Sequence, residues 1–173
     1  MFYFDVNLKN FEAECSWDKA LLYLENLFLS NPTYDKLNSL VGFAWYYLIE
    51  GPIDSKKYEK DENIVAIDIW KKYIDVGLEQ YPNNSGFCFI AGYSILMHGF
   101  YLDEYKTNYQ QVGIELLNKA IHSADKNLQE VVNVILKHSK QRKYKPLKVK
   151  YKVLEQIFHG DSLLEEYFKE LYS

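Results

Sequence analysis

The sequence has one concentrated group of basic side chains, in residues 137–152. This segment carries eight Lys and Arg residues and no Asp or Glu, and Tyr144 and Tyr151 lie within it. Lysine and arginine neutralise phosphates and tyrosine rings stack on bases, so such a segment is typical of nucleic-acid binding. A charged run is also a common solvated surface, and this one can pair with acidic helices on either side. Nucleic-acid binding is therefore kept as an alternative interpretation.

The rest of the chain is acidic. Residues 1–136 carry 11 Lys and Arg against 19 Asp and Glu, and residues 153–173 carry 1 against 5. The formal net charge of the whole chain is −4. Charge separated into blocks in this way indicates an interaction surface, and an acidic surface favours basic partners.

Residue types that perform catalysis or hold metals occur without the spacing that such chemistry requires. The four histidines are His98, His122, His138 and His159. They show no i, i+4 pairing, and Cys15 and Cys88 are too few for a metal cluster. None of the motifs GxSxG, HExxH, GxxxxGK[ST] or GxGxxG occurs. We predict no catalytic residue, no metal site and no cofactor, and we do not expect an enzyme.

The most apolar stretch, Gly86–Leu102, lies within a longer run, residues 80–102, that contains no Lys, Arg, Asp or Glu. A helix that is apolar on every side must be covered by its neighbours, so this stretch predicts the central helix of the fold. A membrane span is the competing interpretation, because about 20 apolar residues cross a bilayer. The internal glycines, Ser94, His98 and the acidic flanks argue against it. We predict a buried helix and no membrane association.

Helical periodicity extends over most of the remaining sequence. Predicted helices cover approximately residues 16–31, 33–49, 63–80, 86–102, 107–124, 127–140, 147–158 and 162–172. Capping-box patterns begin three of them, with Thr107, Asn127 and Ser162 as the capping residues. Residues Phe2–Phe11 are apolar and aromatic, and we interpret them as a strand-like or irregular arm against the first helix. The 173 residues predict one all-α domain, residues 1–173, of about eight helices.

The helical sequence repeats in part. Pro32 precedes Gly42 by ten residues, and Pro82 precedes Gly92 by the same distance. Proline ends a helix where the chain reverses, and a small residue lets one helix approach the backbone of its partner. The spacing predicts stacked helical hairpins.

The residues of this repeat resemble those of tetratricopeptide repeats. Val41–Gly42 with Trp45, and Ala91–Gly92 with Ile95, look like the apolar-Gly pair and the large residue that begin a repeat in that family. The resemblance covers residues 17–140 and implies a tetratricopeptide-like α-solenoid. The repeats here, 50 and 43 residues, exceed the family period of about 34 residues.

The extra length falls in the connections between helices. Residues 51–62, 103–106 and 141–146 each join the first helix of a repeat to its second, so a solenoid would display them along one edge. The acidic residues of this edge are the predicted partner-binding site: Asp54, Glu59, Asp61, Glu62, Asp103 and Glu104. The same edge would carry the basic residues Arg142, Lys143 and Lys145.

A small helical-repeat chain without catalytic residues is expected to bind another protein. The chain is rich in Lys, Asn, Ile and Tyr and ends in an aromatic and acidic segment, residues 162–172. In these respects it resembles bacterial immunity proteins of contact-dependent inhibition and related polymorphic toxin systems. The resemblance implies that it neutralises a cognate toxin by covering the toxin's active site. A basic toxin domain, for example a nuclease, would be steered by the acidic edge.

Two other functions stay open, and one localisation is expected. A scaffold or regulator would bind a peptide in the concave groove of the solenoid, and a nucleic-acid-binding protein would use residues 137–152. Met1–Asp5 lacks the basic start and apolar core of a signal peptide, and the two cysteines are interpreted as reduced thiols. We therefore expect a cytoplasmic protein.

Overall fold

The structure, a computed structural model, describes residues 1–50, 60–102, 105, 107–139 and 148–173, with side chains of the helix that begins at Lys60 described from Val65 onward. Within these residues all regular structure is helical, so the predicted all-α class is confirmed. The helices are α1 Val6–Ala13, α2 Trp17–Ser30, α3 Tyr34–Glu50, α4 Lys60–Gln80, α5 Ser85–His98, α6 Tyr109–Ser123, α7 Lys126–Ser139, α8 Tyr151–Ile157 and α9 Leu163–Tyr172. A 3₁₀ turn, Gly99–Tyr101, follows α5 directly.

The N-terminal segment differs from the predicted arm. Only residues 1–5 lack regular structure, and α1 begins after Asp5, whose carboxylate accepts a hydrogen bond from the Leu8 nitrogen. The extended residues are fixed along α3, where the Tyr3 nitrogen donates to Ser39 Oγ at 2.6 Å and Ser39 Oγ donates to the Tyr3 carbonyl at 2.9 Å. The prediction of a strand-like or irregular arm over Phe2–Phe11 is therefore wrong beyond Asp5, because Asp5 caps a helix that begins at Val6.

The predicted helix caps are partly correct. Ser162 caps α9 as predicted, since its Oγ accepts from the Glu165 nitrogen at 3.3 Å and donates to a Glu165 carboxylate oxygen at 3.2 Å. Asn127 does not cap α7, because Asp125 accepts from the Leu128 nitrogen at 2.9 Å and starts the helix earlier. Thr107 does not cap α6, whose N-cap residue is Asn108 without a side-chain cap bond.

Helix α5 forms the centre of the fold, as its composition predicts. Every residue from Phe87 to Leu96 is buried, and α5 packs against α3 and α6. Its N-cap is Asn84, whose side-chain oxygen accepts from the Phe87 nitrogen at 2.9 Å. Among the residues that the structure describes, no helix combines the length and apolar character needed to cross a membrane.

Helices α3 and α5 run parallel. Three side-by-side pairs advance in the same direction along both helices: Asn38 with Gly86, Gly42 with Ile90, and Trp45 with Tyr93. Helix α4 packs on α3 and helix α6 on α5. Because α3 and α5 are parallel, their C-terminal ends, Glu50 and His98, lie at the same end of the molecule.

The crossing of α5 and α6 brings two backbones together at glycines. A Cβ built on Gly92 would lie 2.9 Å from the Leu117 nitrogen, and one built on Gly113 would lie 2.7 Å from the Leu96 Cα. Both distances are too short for a real side chain. Gly42 is different, because the nearest atom to its added Cβ is the Leu164 Cδ2, a side-chain tip from α9.

The C-terminal helix α9 lies across α3 and α5. Its Leu164 approaches Gly42, and its Phe168 is fully buried within 6.3 Å, centroid to centroid, of the rings of Trp45, Phe89 and Tyr93. Burying an aromatic side chain of this size stabilises the fold by roughly 1.5–3 kcal/mol. Helix α9 is thus part of the core.

Candidate functional site

One end of the molecule collects the helix ends that border the long connections. The Tyr47 hydroxyl near the end of α3 donates to Asp18 at the start of α2 at 2.9 Å, and Gly99 after α5 touches Tyr109 at the start of α6. Tyr47 also lines a cavity with Val65, near the start of α4. We call this end, where α3 and α5 finish and α2, α4 and α6 begin, the connection end.

The predicted acidic site falls largely outside the described part of the chain. Asp54, Glu59, Asp103 and Glu104 are not among the described residues, and neither are the basic Arg142, Lys143 and Lys145. Asp61 and Glu62 lie at the N-terminal end of α4, with side chains outside the described set. The described residues next to the two acidic connections, Glu50 and Leu102, are both at the connection end. The acidic edge therefore remains a prediction.

Four rings form a partly exposed aromatic cluster at the connection end. They belong to His98, Phe100, Tyr101 and Tyr109, and we call them the end cluster. The centroids of Phe100 and Tyr101 are 4.5 Å apart, and Phe100 meets Tyr109 edge to face at 6.0 Å. Phe100 is 44% exposed and Tyr101 is 48% exposed. Clustered exposed aromatic rings are characteristic of residues that dominate protein–protein interfaces.

His98 connects this cluster to the core. The Trp45 Nε1–H donates to His98 Nδ1 at 3.1 Å, so the neutral ring carries its proton on Nε2. Burial lowers the pKa of His98 below its usual value. His98 also stacks with Tyr101 at a centroid distance of 6.3 Å. Trp45 thereby fixes the ring against which Phe100 and Tyr101 pack.

A groove between α2 and α4 opens near the connection end. Its volume is about 400 Å³. We call it the α2–α4 groove, and its lining residues are Asp18, Leu21, Leu22, Glu25, Tyr47, Val65 and Ile69. Leu22 is 59% exposed and Val65 is 54% exposed. The groove therefore presents aliphatic side chains with two carboxylates on the α2 wall.

A second cavity, of about 380 Å³, lies at the opposite end and has a more polar lining. Three of its polar residues have structural roles: Asn84 caps α5, Asp125 caps α7, and the Asn38 amide nitrogen donates to the Met1 carbonyl at 3.1 Å. The Asn38 side-chain oxygen is buried without a hydrogen-bond partner. Asn38 lines this cavity but has no solvent-exposed surface.

Two buried carboxyl groups lie where α1 meets α9. Glu12 Oε2 accepts from the Leu163 nitrogen at 3.2 Å, and Glu12 Oε1 is buried without a partner. Burial, with a further contribution from the charge of Glu165, raises the pKa of Glu12 to about 7. Burial also raises the pKa of Glu165. Neither residue lines the two cavities described above. We therefore interpret the pair as structural, holding the N-terminus of α9 against α1.

Comparison with known proteins gives no relative whose function could be compared with these surfaces. The chain matches no protein-family model, no curated protein and no solved structure. In the part of the chain described, no group of three or more His, Cys, Asp or Glu side chains is arranged to hold a metal ion.

The end cluster and the α2–α4 groove were not predicted from the sequence. Phe100 and Tyr101 fall inside the uncharged run, residues 80–102, that predicted a buried helix. The available signal was Gly99, because helix propensity falls at glycine and α5 ends at His98. The groove depends on the separation of α2 from α4, which no local pattern encodes.

Proposed function

We propose that this protein is a tetratricopeptide-like helical-repeat module that binds another protein at its connection end. The repeat interpretation is supported by the parallel α3 and α5, each packed against the helix that follows it. In such a stack the first helices of successive repeats lie side by side, and the connections to the second helices emerge at one end.

The observation that carries the proposal is the exposure of Phe100 and Tyr101 in the end cluster. In the sequence only Leu102 separates these rings from Asp103 and Glu104. Aromatic anchors beside acidic residues combine desolvation at the centre of an interface with electrostatic steering at its rim. Such a surface fits a basic protein partner.

The sharper form of the proposal is a cytoplasmic bacterial immunity protein. It would neutralise a cognate toxin by covering the toxin's active site, with the end cluster as anchor. The acidic residues of the rim would be Asp54, Glu59, Asp61, Glu62, Asp103 and Glu104. A toxin with a basic cleft, such as a nuclease, supplies the complementary charge. No catalytic residue, metal or cofactor is assigned to this function.

The alternative of a peptide in the concave groove has less support. Helix α9 covers residues of both α3 and α5, the neighbouring helices on which such a peptide would lie. A peptide would have to displace Phe168 from its aromatic surroundings.

Under this proposal we expect a toxin domain to be encoded beside this gene, and the test is binding to that domain, measured by surface plasmon resonance. Phe100→Ala with Tyr101→Ala is expected to weaken the complex at least about a hundredfold, because aromatic anchors each contribute about 2 kcal/mol or more. Charge reversal of Asp61, Glu62, Asp103 and Glu104 to Lys is expected to lower the association rate, and the loss should shrink at high salt.

The matched control is Leu171→Ala, since Leu171 is 44% exposed on α9. Unchanged affinity of both the aromatic and the charge-reversed variants would remove the proposal. A neighbouring gene that encodes no exported toxin, together with no binding to any protein captured by the wild type, would also contradict it.

A further inference from the structure

The walls of the α2–α4 groove run in parallel register. Glu25 Oε1 accepts from Lys72 Nζ at 2.9 Å and from the Tyr73 hydroxyl at 2.8 Å, and Phe28 meets the Tyr73 ring edge to face at 5.5 Å. These contacts close one end of the groove. Towards the connection end the lining is aliphatic, with Leu22 and Val65 exposed, Ile69 partly buried and Leu21 buried.

Acidic and aliphatic side chains share the α2 wall at helical spacing, in the order Asp18, Leu22, Glu25. On α4 the lining residues are Val65 and Ile69, and the exposed Asp68 directly precedes Ile69 in the sequence. Asp68 is exposed, and the Lys72 that follows is engaged by Glu25. The described walls therefore carry an excess of negative charge around an aliphatic floor.

We propose that the α2–α4 groove binds an amphipathic helix of the partner protein, with Leu or Ile side chains on one face and Lys or Arg side chains beside them. A helix laid between two parallel helices packs its ridges into their grooves, and its apolar side chains at i, i+3, i+4 and i+7 fill the floor. Its basic side chains meet Asp18 and Asp68. This inference rests on the proposed function and names the chemistry of the partner.

The probe is a fluorescein-labelled 15-residue peptide with Leu at i, i+3, i+4, i+7 and onward, and Lys at the intervening positions. A second peptide has Glu in place of every Lys. Binding to the full chain is measured by fluorescence anisotropy at low and high salt. We expect the Leu/Lys peptide to bind at least about tenfold more tightly than the Leu/Glu peptide, with the difference reduced by salt.

The decisive variant is Leu22→Ser with Val65→Ser, which shortens two exposed floor residues without touching the core. It is expected to weaken the Leu/Lys peptide about tenfold or more. The control, Leu29→Ser with Val6→Ser, changes the same residue types at similarly exposed positions outside the groove and is expected to bind as the wild type does. Asp18→Asn with Asp68→Asn should reduce both the affinity and its salt dependence.

Four results would overturn the inference. The first two are no binding of the Leu/Lys peptide and equal binding of the two peptides. The third is an equal loss of peptide affinity in the groove variant and the control variant. The fourth is a wild-type dimer in sedimentation that the groove variant converts to monomer. The last would assign the groove to a second copy of the chain. If the groove fails these tests while Phe100→Ala with Tyr101→Ala still abolishes partner binding, the proposed function stands without it.

Discussion

At the scale of single residues, Glu12 shows how the chain uses a buried carboxyl group. The residue is 8% exposed, and its carboxylate accepts a hydrogen bond from the first backbone nitrogen of α9. The helix N-terminus favours a negative charge there, while burial and the nearby Glu165 oppose it. Burial is the larger effect, because the pKa of Glu12 is raised to about 7.

This shift makes the folded protein bind a proton at Glu12 more tightly than the unfolded chain does. The stability that Glu12 contributes is therefore fully present below about pH 4.5 and is lost as pH rises through about 7. We expect Glu12→Gln to be more stable than the wild type at pH 8 by about 3 kcal/mol, with the difference vanishing towards pH 4.5. Urea denaturation at several pH values measures this.

Glu14→Gln is the matched control, because Glu14 lies two residues away and is exposed. It controls for the loss of one negative charge and the Glu-to-Gln change at a neighbouring exposed position. If Glu12→Gln follows the wild-type pH profile in parallel, the buried carboxyl group does not control stability in this range.

At the scale of elements, the two glycines that repeat in the sequence have different structural roles. Gly92 lets the backbones of α5 and α6 approach, whereas Gly42 gives room to a side-chain tip from α9. The sequence repeat predicts that Gly42 and Gly92 have the same role, because it shows only that both residues are small. It does not show which atoms of a neighbouring helix lie beside them. A backbone cannot move aside locally, whereas a leucine side chain can change its rotamer.

Gly92→Ala is therefore expected to cost more stability than Gly42→Ala. The added methyl group at position 92 meets the Leu117 nitrogen and the Gly113 carbonyl, and overpacking of this kind costs about 1–3 kcal/mol. At position 42 the gain in helix propensity, about 1 kcal/mol, offsets much of the strain. Chemical denaturation of both variants gives the change in the free energy of unfolding. Equal losses of stability would contradict the prediction, because α6 would then shift as easily as the Leu164 side chain.

At the scale of the whole molecule, the helices were predicted more reliably than their arrangement. The periodicity of residues 17–80 and the uncharged run of residues 80–102 are local signals, and they gave α2 and α3 to within one residue at each end. Helix α4 begins three residues earlier than predicted, and α5 ends four residues earlier. The start of α8 at Tyr151 and the caps of α6 and α7 were missed, because several polar residues compete to cap a helix. The packing of α9 on α3 was not predicted, because Trp45 and Phe168 are distant in sequence.

The same distance in sequence predicts the order of folding. Contacts between neighbouring helices close short loops, whereas the contact between Trp45 and Phe168 closes most of the chain and forms late. We expect Phe168→Ala to raise the unfolding rate with little change in the folding rate, and Leu117→Ala, in the α5–α6 hairpin, to slow folding. Stopped-flow measurements in urea separate the two effects. A folding rate reduced equally by both variants would show that α9 docks early.

Late docking of α9 has a consequence for synthesis in the cell. The rings of Trp45, Phe89 and Tyr93 stay uncovered until residues 163–172 have left the ribosome, although the helices that carry them are already complete. During that interval the nascent chain exposes a hydrophobic aromatic surface. Such a surface binds chaperones and promotes self-association.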